Sequence, residues 1–157
     1  MSIRDAQASD LDAIMGLICA LAEYENMSDE VGFDPAELEH WLFGPHPAAR
    51  VLLSNDPAGR VVGMALYFST FSTFLGRPGI WLEDLFVLPD YRGEGRGGAL
   101  LQALRARTTG RVEWSVLDWN ERAIDFYFRI GARPVDGWTR YRWTHGDGPS
   151  QPSDGPR

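Results

Sequence analysis

Two adjacent carboxylates, Glu83 and Asp84, interrupt an otherwise apolar stretch from Ile80 to Leu88. A stretch of this kind is typical of a strand that is buried on both faces, and an acid inside it is costly unless it is paired or opens into a cleft. Desolvation also raises the pKa of a carboxyl group, which suits a general base that takes a proton from an ammonium group. The two acids therefore predict either a site that deprotonates an amine or an ion pair with an arginine.

Side chains alternate between the two faces along a strand. Strict alternation places Glu83 on one face with Trp81, Leu85 and Val87, and Asp84 on the other with Ile80, Leu82 and Phe86. A third acid, Glu25, continues the apolar face of the predicted first helix. Its side chain is expected either to point inward or to sit at the helix end in water.

A glycine-rich loop, Arg92–Gly98, directly follows the acid-bearing strand and precedes a helical pattern that begins at Ala99. Glycines at alternate positions let the backbone turn tightly. The unpaired N–H groups and the dipole of the following helix attract an anion. All 15 basic residues of the chain are arginines, so phosphate contacts must come from backbone N–H groups or from charge-assisted bonds of Arg92 or Arg96. The loop predicts a pyrophosphate site.

Two alternatives exist for this loop. Gly93, Gly95 and Gly98 also fit the dinucleotide fingerprint G-x-G-x-x-G, and Glu113 follows at about the spacing of its ribose-binding acid. That fingerprint normally lies on the first strand of its domain, whereas this loop lies past the middle of the chain and Glu113 begins its strand rather than ending it. A glycine-rich turn without a ligand is the other alternative. The position of the loop therefore favours the pyrophosphate of a ligand that is not a dinucleotide.

The composition narrows the class of partner. A formal net charge of −7 and a sequence pI near 4.9 disfavour nucleic acid, whose binding needs neutralised phosphates, and favour a cationic small molecule. No apolar run reaches the ~18–20 residues of a membrane span. A single cysteine and histidines without ligand spacing predict no disulfide and no metal site. A cytoplasmic location is the default expectation.

The chain reads as a mixed α/β order in one domain, 1–144, with a disordered polar tail at 145–157. A capping box at Ser9 and Asp12 predicts a first helix to about Tyr24 or Glu25. The remaining predicted helices begin at Asp34–Pro35, at about Gly97 and at Asn120. The predicted strands are Ile3–Ala6, Val51–Ser54, Arg60 to about Phe71, Ile80–Leu88, Arg111–Leu117, Arg133–Val135 and Thr139–Thr144.

Several motifs in a fixed order accompany the R-G-x-G-x-G loop. They are Leu21-Ala22-Glu23-Tyr24-Glu25, Trp81 to Val87, Asp90-Tyr91-Arg92-Gly93, Trp119-Asn120-Glu121, Phe126-Tyr127 and Gly131-Ala132. Together they resemble the GNAT superfamily of N-acetyltransferases, in the branch of the spermidine/spermine (diamine) and thialysine acetyltransferases. The resemblance implies a GNAT fold, which is a mixed twisted central sheet flanked by helices and splayed at the acetyl-CoA site. It also implies a homodimer and acetyl transfer from acetyl-CoA to a primary amine of a small cationic metabolite.

The same resemblance assigns roles to individual residues. Glu83 matches the catalytic base, acting through water, and Tyr127 matches the acid that protonates the departing thiolate. Donor contacts are implied for Leu85, Phe86, Val87, Arg92, Gly93, Glu94, Gly95, Arg96, Gly97, Gly98, Asn120, Glu121 and Ala123. Amine contacts are implied for Tyr24, Glu25, Glu83, Asp84, Glu113 and Asp136.

Structural alternatives stand beside these roles. Tyr127 shares a helix face with Ala123 and Ile130 and could be a core aromatic, and Asn120 could serve as a helix N-cap alone. Phe128 and Ile130 replace basic residues that diamine acetyltransferases typically carry, which weakens the prediction of phosphate contacts from this helix. The acceptor could instead be thialysine, another amino acid or an antibiotic. A sensor that binds acetyl-CoA without turnover is the non-enzymatic alternative, and it would need neither Glu83 nor Tyr127.

Overall fold

A computed structural model describes residues 1–144 of the chain, so the predicted tail at 145–157 lies outside the described residues. The strands are β1 Ser2–Asp5, β2 Arg50–Asn55, β3 Val61–Ser72, β4 Arg77–Val87 and β5 Val112–Glu113. The α-helices are α1 Leu11–Tyr24, α2 Pro35–Phe43, α3 Arg96–Arg105 and α4 Glu121–Arg129. Short 3₁₀ turns lie at Ala8–Asp10, Ser28–Glu30 and Pro89–Tyr91.

The five strands form one sheet in the order β1-β2-β3-β4-β5. Neighbours are antiparallel from β1 to β4, and β5 runs parallel to β4. Helices α1 and α2 lie between β1 and β2 in sequence, α3 lies between β4 and β5, and α4 follows β5. The predicted mixed sheet flanked by helices is therefore confirmed.

Helix α1 covers one face of the sheet, which we call the α1 face. Its buried residues Ile14 and Leu17 join a core whose other buried members are Leu42, Val51, Leu53, Met64, Leu66 and Phe86. The predicted extent of the helix is confirmed, but its predicted capping box is wrong. The Asp10 carboxylate, not Asp12, accepts a backbone bond, from Gln7 N at 2.8 Å. Asp10 is also held by Arg4 at 2.7 Å, which fixes the turn before the helix begins.

Helix α3 packs against β3 and β4, on the face that we call the α3 face. Buried residues outside the α1 core include Leu52, Val62, Ala65, Leu82, Leu100 and Leu104. The Arg92–Gly98 loop leads directly into this helix. The helix therefore anchors the loop to the sheet through an apolar face.

The chain divides into two compact units, Met1–Trp119 and a second that begins at Asn120. In the second unit α4 is capped by the Asn120 Oδ1 atom, which accepts a bond from Ala123 N at 3.2 Å. Gly131 follows the helix with a φ of 91°, the left-handed conformation that glycine supplies after a helix.

The predicted strands at Arg133–Val135 and Thr139–Thr144 are wrong, because the described residues after α4 contain no strand. Large side chains within these ranges are exposed, Val135 at 65% and Trp143 at 90%. A strand needs a neighbour to accept its backbone bonds, which residue preference alone cannot supply. The predicted strand Arg111–Leu117 is likewise reduced to Val112–Glu113.

Candidate active site

A β-bulge lies at the centre of the candidate site. Leu66 of β3 pairs with Asp84, and the next residue, Tyr67, pairs with Leu82, so Glu83 is an extra residue without a partner on β3. The bulge breaks the alternation expected along β4. Asp84 shares the α1 face with Leu66, whereas Leu82 opposes Tyr67 on the α3 face. The predicted grouping of Asp84 with Leu82 is therefore wrong.

Three acids gather on this part of the Met1–Trp119 unit. Burial raises the pKa of Asp84 to about 6, and the nearby Glu83 and Glu25 carboxylates raise it further in the same direction. Burial also raises the pKa of Glu25, which follows directly after α1. No arginine or histidine within residues 1–144 forms an ion pair with any of the three. The alternative of a structural ion pair is thus not realised in this part of the chain.

Glu83 is exposed, in contrast to Asp84. Its Oε2 atom accepts a hydrogen bond from the indole Nε1 of Trp81 at 2.7 Å. Because this bond fixes one carboxylate oxygen, the other is free to face a solvent molecule or an amine. The sequence did not single out Trp81 as a partner of Glu83, since an indole two residues before an acid is no recognised signal.

Aromatic rings lie beside the acids. The ring of Tyr24 lies 6.4 Å from that of Phe86 and 6.3 Å from that of Trp119. The guanidinium carbon of Arg92 lies 4.6 Å from the centre of the Tyr24 ring. Tyr24 and Glu25, predicted together as amine contacts, therefore lie at the end of α1 next to the strand that carries the other two acids.

The glycine-rich loop has the backbone expected of an anion cradle. Gly93 and Gly95 have φ angles of 84° and 79°, a region that favours glycine. At both positions and at Gly98, an added Cβ atom would meet no other atom within 4 Å. Backbone conformation therefore explains Gly93 and Gly95, and all three glycines leave open space near the first turn of α3, whose N–H groups are suited to bind a pyrophosphate.

The two arginines of the loop are occupied by protein groups. Arg96 is 4% exposed and bonds Asn55 O at 3.0 Å and the Glu94 carboxylate at 2.9 Å. Arg92 donates from Nε to the Val87 carbonyl oxygen at 2.8 Å. The backbone of Gly93, Gly95 and Gly98 is thus the more open part of the predicted donor site.

The sheet opens next to the acids. Strand β5 pairs with β4 only at Ile80–Val112 and Trp81–Glu113. Beyond Trp81, no strand of the described residues pairs with that edge of β4. Backbone groups that face this open edge can bond an extended ligand, and the predicted donor contacts Leu85, Phe86 and Val87 lie in this part of β4. Glu113 lies at the point of divergence, 3.8 Å from Arg111.

The remaining predicted residues belong to the second unit and are described by themselves. Asn120 caps α4 through Ala123, while Glu121 and Asp136 are exposed. Tyr127 is half-buried, and its ring lies 5.4 Å from that of Phe126. The donor, acid and amine roles predicted for these residues stay predictions.

Residues 1–144 contain neither a metal-binding group nor a helix that could span a membrane. No group of three or more His, Cys, Asp or Glu side chains is placed to hold a metal ion. No helix there combines the length and the apolar character that crossing a bilayer requires.

The chain matches the acetyltransferase (GNAT) family over residues 14–132. It is 35% identical over 155 residues to a thialysine N-epsilon-acetyltransferase of Sus scrofa, covering 90% of this chain and 91% of that protein. It is 34% identical over 154 residues to the spermidine/spermine N(1)-acetyltransferase-like protein 1 of Homo sapiens, covering 90% of this chain and 22% of that protein. An integron cassette protein from the mobile metagenome of V. cholerae shares the fold, with a TM-score of 0.75 at 24% identity over 92% of this chain and 93% of that one.

These matches agree with the observed mixed sheet flanked by helices. The family uses acetyl-CoA as its co-substrate, and the open cradle at the start of α3 fits the pyrophosphate of that molecule. The chain belongs to the acetyltransferase (GNAT) family and is an enzyme that transfers an acetyl group to an amine.

Proposed function

We propose that the acceptor is the primary amine of a small cationic metabolite of the polyamine or diamine type. The observation that carries the proposal is the cluster of Glu25, Glu83 and Asp84, which no basic group of residues 1–144 neutralises. Such a cluster attracts a molecule with more than one positive charge. The neighbouring rings of Tyr24 and Trp119 add faces on which an alkylammonium group can lie.

The acids also supply the proton acceptor that the reaction needs. An ammonium group must lose a proton before its nitrogen can attack the thioester carbonyl. In the proposed mechanism Glu83 takes that proton through water, with Asp84 beside it as a second acid whose pKa of about 6 lies close to neutrality. Backbone N–H groups on the open edge of β4 hydrogen-bond the thioester oxygen as it gains charge.

The C–N bond then forms and the C–S bond breaks. We assign Tyr127 as the donor of the proton that the thiolate receives, so the products are the acetylamide and the free thiol of coenzyme A. Tyr127→Phe is expected to lower kcat about 10²-fold with little change in the Kd of coenzyme A. An unchanged kcat would remove Tyr127 from the mechanism.

An amino-acid acceptor is the second candidate, and it is favoured by the pig relative, whose name specifies thialysine. An amino acid differs from a polyamine by its carboxylate. That carboxylate would be repelled by the acid cluster unless a cation of the protein met it. The acid cluster therefore favours a polyamine acceptor, whereas the similarity to the pig thialysine acetyltransferase favours an amino-acid acceptor.

A thiol-release assay with acetyl-CoA separates the candidates, using spermidine, thialysine, lysine and an aminoglycoside as acceptors. The proposal expects the highest kcat/KM with spermidine. Higher kcat/KM with thialysine would replace the polyamine by the amino acid. No release with any amine, alongside measurable binding of coenzyme A, would overturn the proposed acceptor class altogether.

A further inference from the structure

Arg92 is the first residue of the glycine-rich loop, but its side chain folds back onto β4. Its Nε donates to the Val87 carbonyl oxygen at 2.8 Å. Its guanidinium carbon lies 4.6 Å from the centre of the Tyr24 ring and 5.2 Å from that of Phe86. Both distances are within the range of a cation–π contact. One side chain thus contacts the end of α1 and the open end of β4.

The contacted residues belong to the two halves of the proposed site. Tyr24 precedes Glu25 of the acid cluster, and Val87 ends the strand edge that faces the donor. The backbone of Arg92 leads into the anion cradle at Gly93. A displacement of the Tyr24 ring would therefore be transmitted to the loop through a single guanidinium group.

The other arginine of the loop provides a contrast. Arg96 is buried and is bound by Asn55 O and by Glu94, so its contacts tie the loop to the end of β2. None of its contacts within residues 1–144 involves Tyr24 or an acid of the amine cluster. Arg96 holds the loop in place, whereas Arg92 connects it to the amine side.

We propose that Arg92 is a positioning residue that couples the amine site to the donor loop through the Tyr24 ring, and that it is not a ligand of the donor phosphates. The inference rests on the proposed placement of the amine beside Glu25 and Asp84. Arginine is required because its flat guanidinium can stack on a ring while Nε bonds a carbonyl. A lysine ammonium keeps the charge but cannot do both.

Arg92→Lys is the main test, and Arg107→Lys is the matched control. Arg107 also contacts a tyrosine, donating a hydrogen bond to the Tyr67 hydroxyl at 2.7 Å, and it binds Asp5 beyond the opposite end of α3 from the loop. For Arg92→Lys we expect kcat/KM for spermidine to fall about tenfold and the Kd of coenzyme A, measured by calorimetry, to rise less than about threefold. For Arg107→Lys we expect both values to stay as in the wild type.

A rise of about tenfold in the Kd of coenzyme A, with kcat at saturating acetyl-CoA unchanged, would make Arg92 a phosphate ligand and overturn the proposal. Kinetics of Arg92→Lys identical to those of Arg107→Lys would overturn it as well.

A double-mutant cycle tests the coupling without turnover. Tyr24→Leu is expected to weaken coenzyme A binding about threefold in the wild type and not at all in Arg92→Lys, because the connection is already lost. Additive effects would overturn the coupling. Because this cycle needs only coenzyme A, an absence of turnover with every amine would refute the proposed function while leaving the role of Arg92 to be decided by binding.

Discussion

Two charged clusters lie on either side of the turn that joins β4 to α3, and they are built in opposite ways. In the first, the buried Arg96 guanidinium meets the Glu94 carboxylate, Asn55 O and the Ser54 hydroxyl. In the second, Glu25, Glu83 and Asp84 lie close enough for the two glutamates to raise the pKa of the aspartate, and no cation within residues 1–144 pairs with them.

The two clusters differ in role. The Arg96 guanidinium stabilises the fold, whereas the three carboxylates are held close together for the proposed chemistry. A buried guanidinium with protein acceptors satisfies its desolvation locally, so its loss exposes those acceptors unpaired. A cluster of like charges destabilises the free enzyme and is relieved when a cation binds. Substitutions in the two clusters should therefore change stability in opposite directions.

The largest expected effect concerns turnover in the acid cluster. Glu83→Gln removes the proposed proton acceptor while keeping the shape of the side chain and a hydrogen-bond acceptor for Trp81. We expect kcat to fall about 10²- to 10⁴-fold, measured by thiol release at saturating acetyl-CoA and spermidine. Glu37→Gln, on the exposed side of α2, is the control. If Asp84→Asn reduces kcat far more than Glu83→Gln does, the base is Asp84 instead.

The next effect concerns the stability of the Arg96 cluster. Arg96→Met keeps the apolar length of the side chain but leaves Asn55 O and Ser54 Oγ without their donor. The free energy of unfolding should fall by about 2–4 kcal/mol, because each buried neutral acceptor left unpaired costs about 1–3 kcal/mol, and urea denaturation at pH 7.5 measures this. Arg105→Met is the control, since the bond of Arg105 seen within residues 1–144 goes to Thr108 O at an exposed position. Equal losses in both variants would contradict the anchoring role of Arg96.

In the acid cluster, removing a charge should instead raise the free energy of unfolding. The folded-state pKa of Asp84 is about 6 against an ordinary value of 3.8. Between pH 3.8 and about 6 the unfolded chain ionises this group while the folded chain keeps it protonated, so stability falls across that range and the full penalty is present above pH 6. Asp84→Asn removes the ionisation, so this variant should be more stable than the wild type by up to about 3 kcal/mol at pH 7.5 and about equal to it at pH 3.5. Urea denaturation at both pH values measures this, and an asparagine variant less stable at pH 7.5 would contradict it.

The contrast between the clusters could be predicted only in part from the sequence. Local patterns predict the acid-bearing strand β4, the Arg92–Gly98 loop and helices α1 and α2. Apolar periodicity, the Asp34 cap and the glycines each act over a few neighbouring residues. The two acids in β4 were also visible, but an ion pair with an arginine remained an alternative to a reactive site. The bulge at Glu83 was not visible, since a bulge depends on the register between two strands.

The contacts of the two loop arginines could not be predicted from the sequence either. Arg92 and Arg96 both read as phosphate ligands, because a glycine-rich loop gives no sign of which long side chain returns to the protein. The acceptors of Arg96, Asn55 O and Ser54 Oγ, are 41 and 42 residues away along the chain. Only the packing of the hairpin against the loop brings them together.

The smallest expected effect refines the description of the Arg96 cluster. Glu94 pairs with the buried Arg96 but is itself 53% exposed, so water screens the pair on one side and can replace the carboxylate. Glu94→Gln should therefore cost less than about 1 kcal/mol of unfolding free energy, measured by urea denaturation beside Arg96→Met. A loss as large as that of Arg96→Met would mean that the ion pair, rather than the bonds to Asn55 and Ser54, holds the loop. A smaller loss in Glu94→Gln than in Arg96→Met would mean that the neutral acceptors Asn55 O and Ser54 Oγ, at the end of β2, anchor the loop. Glu94 would then be free to change its contacts when the donor occupies the cradle.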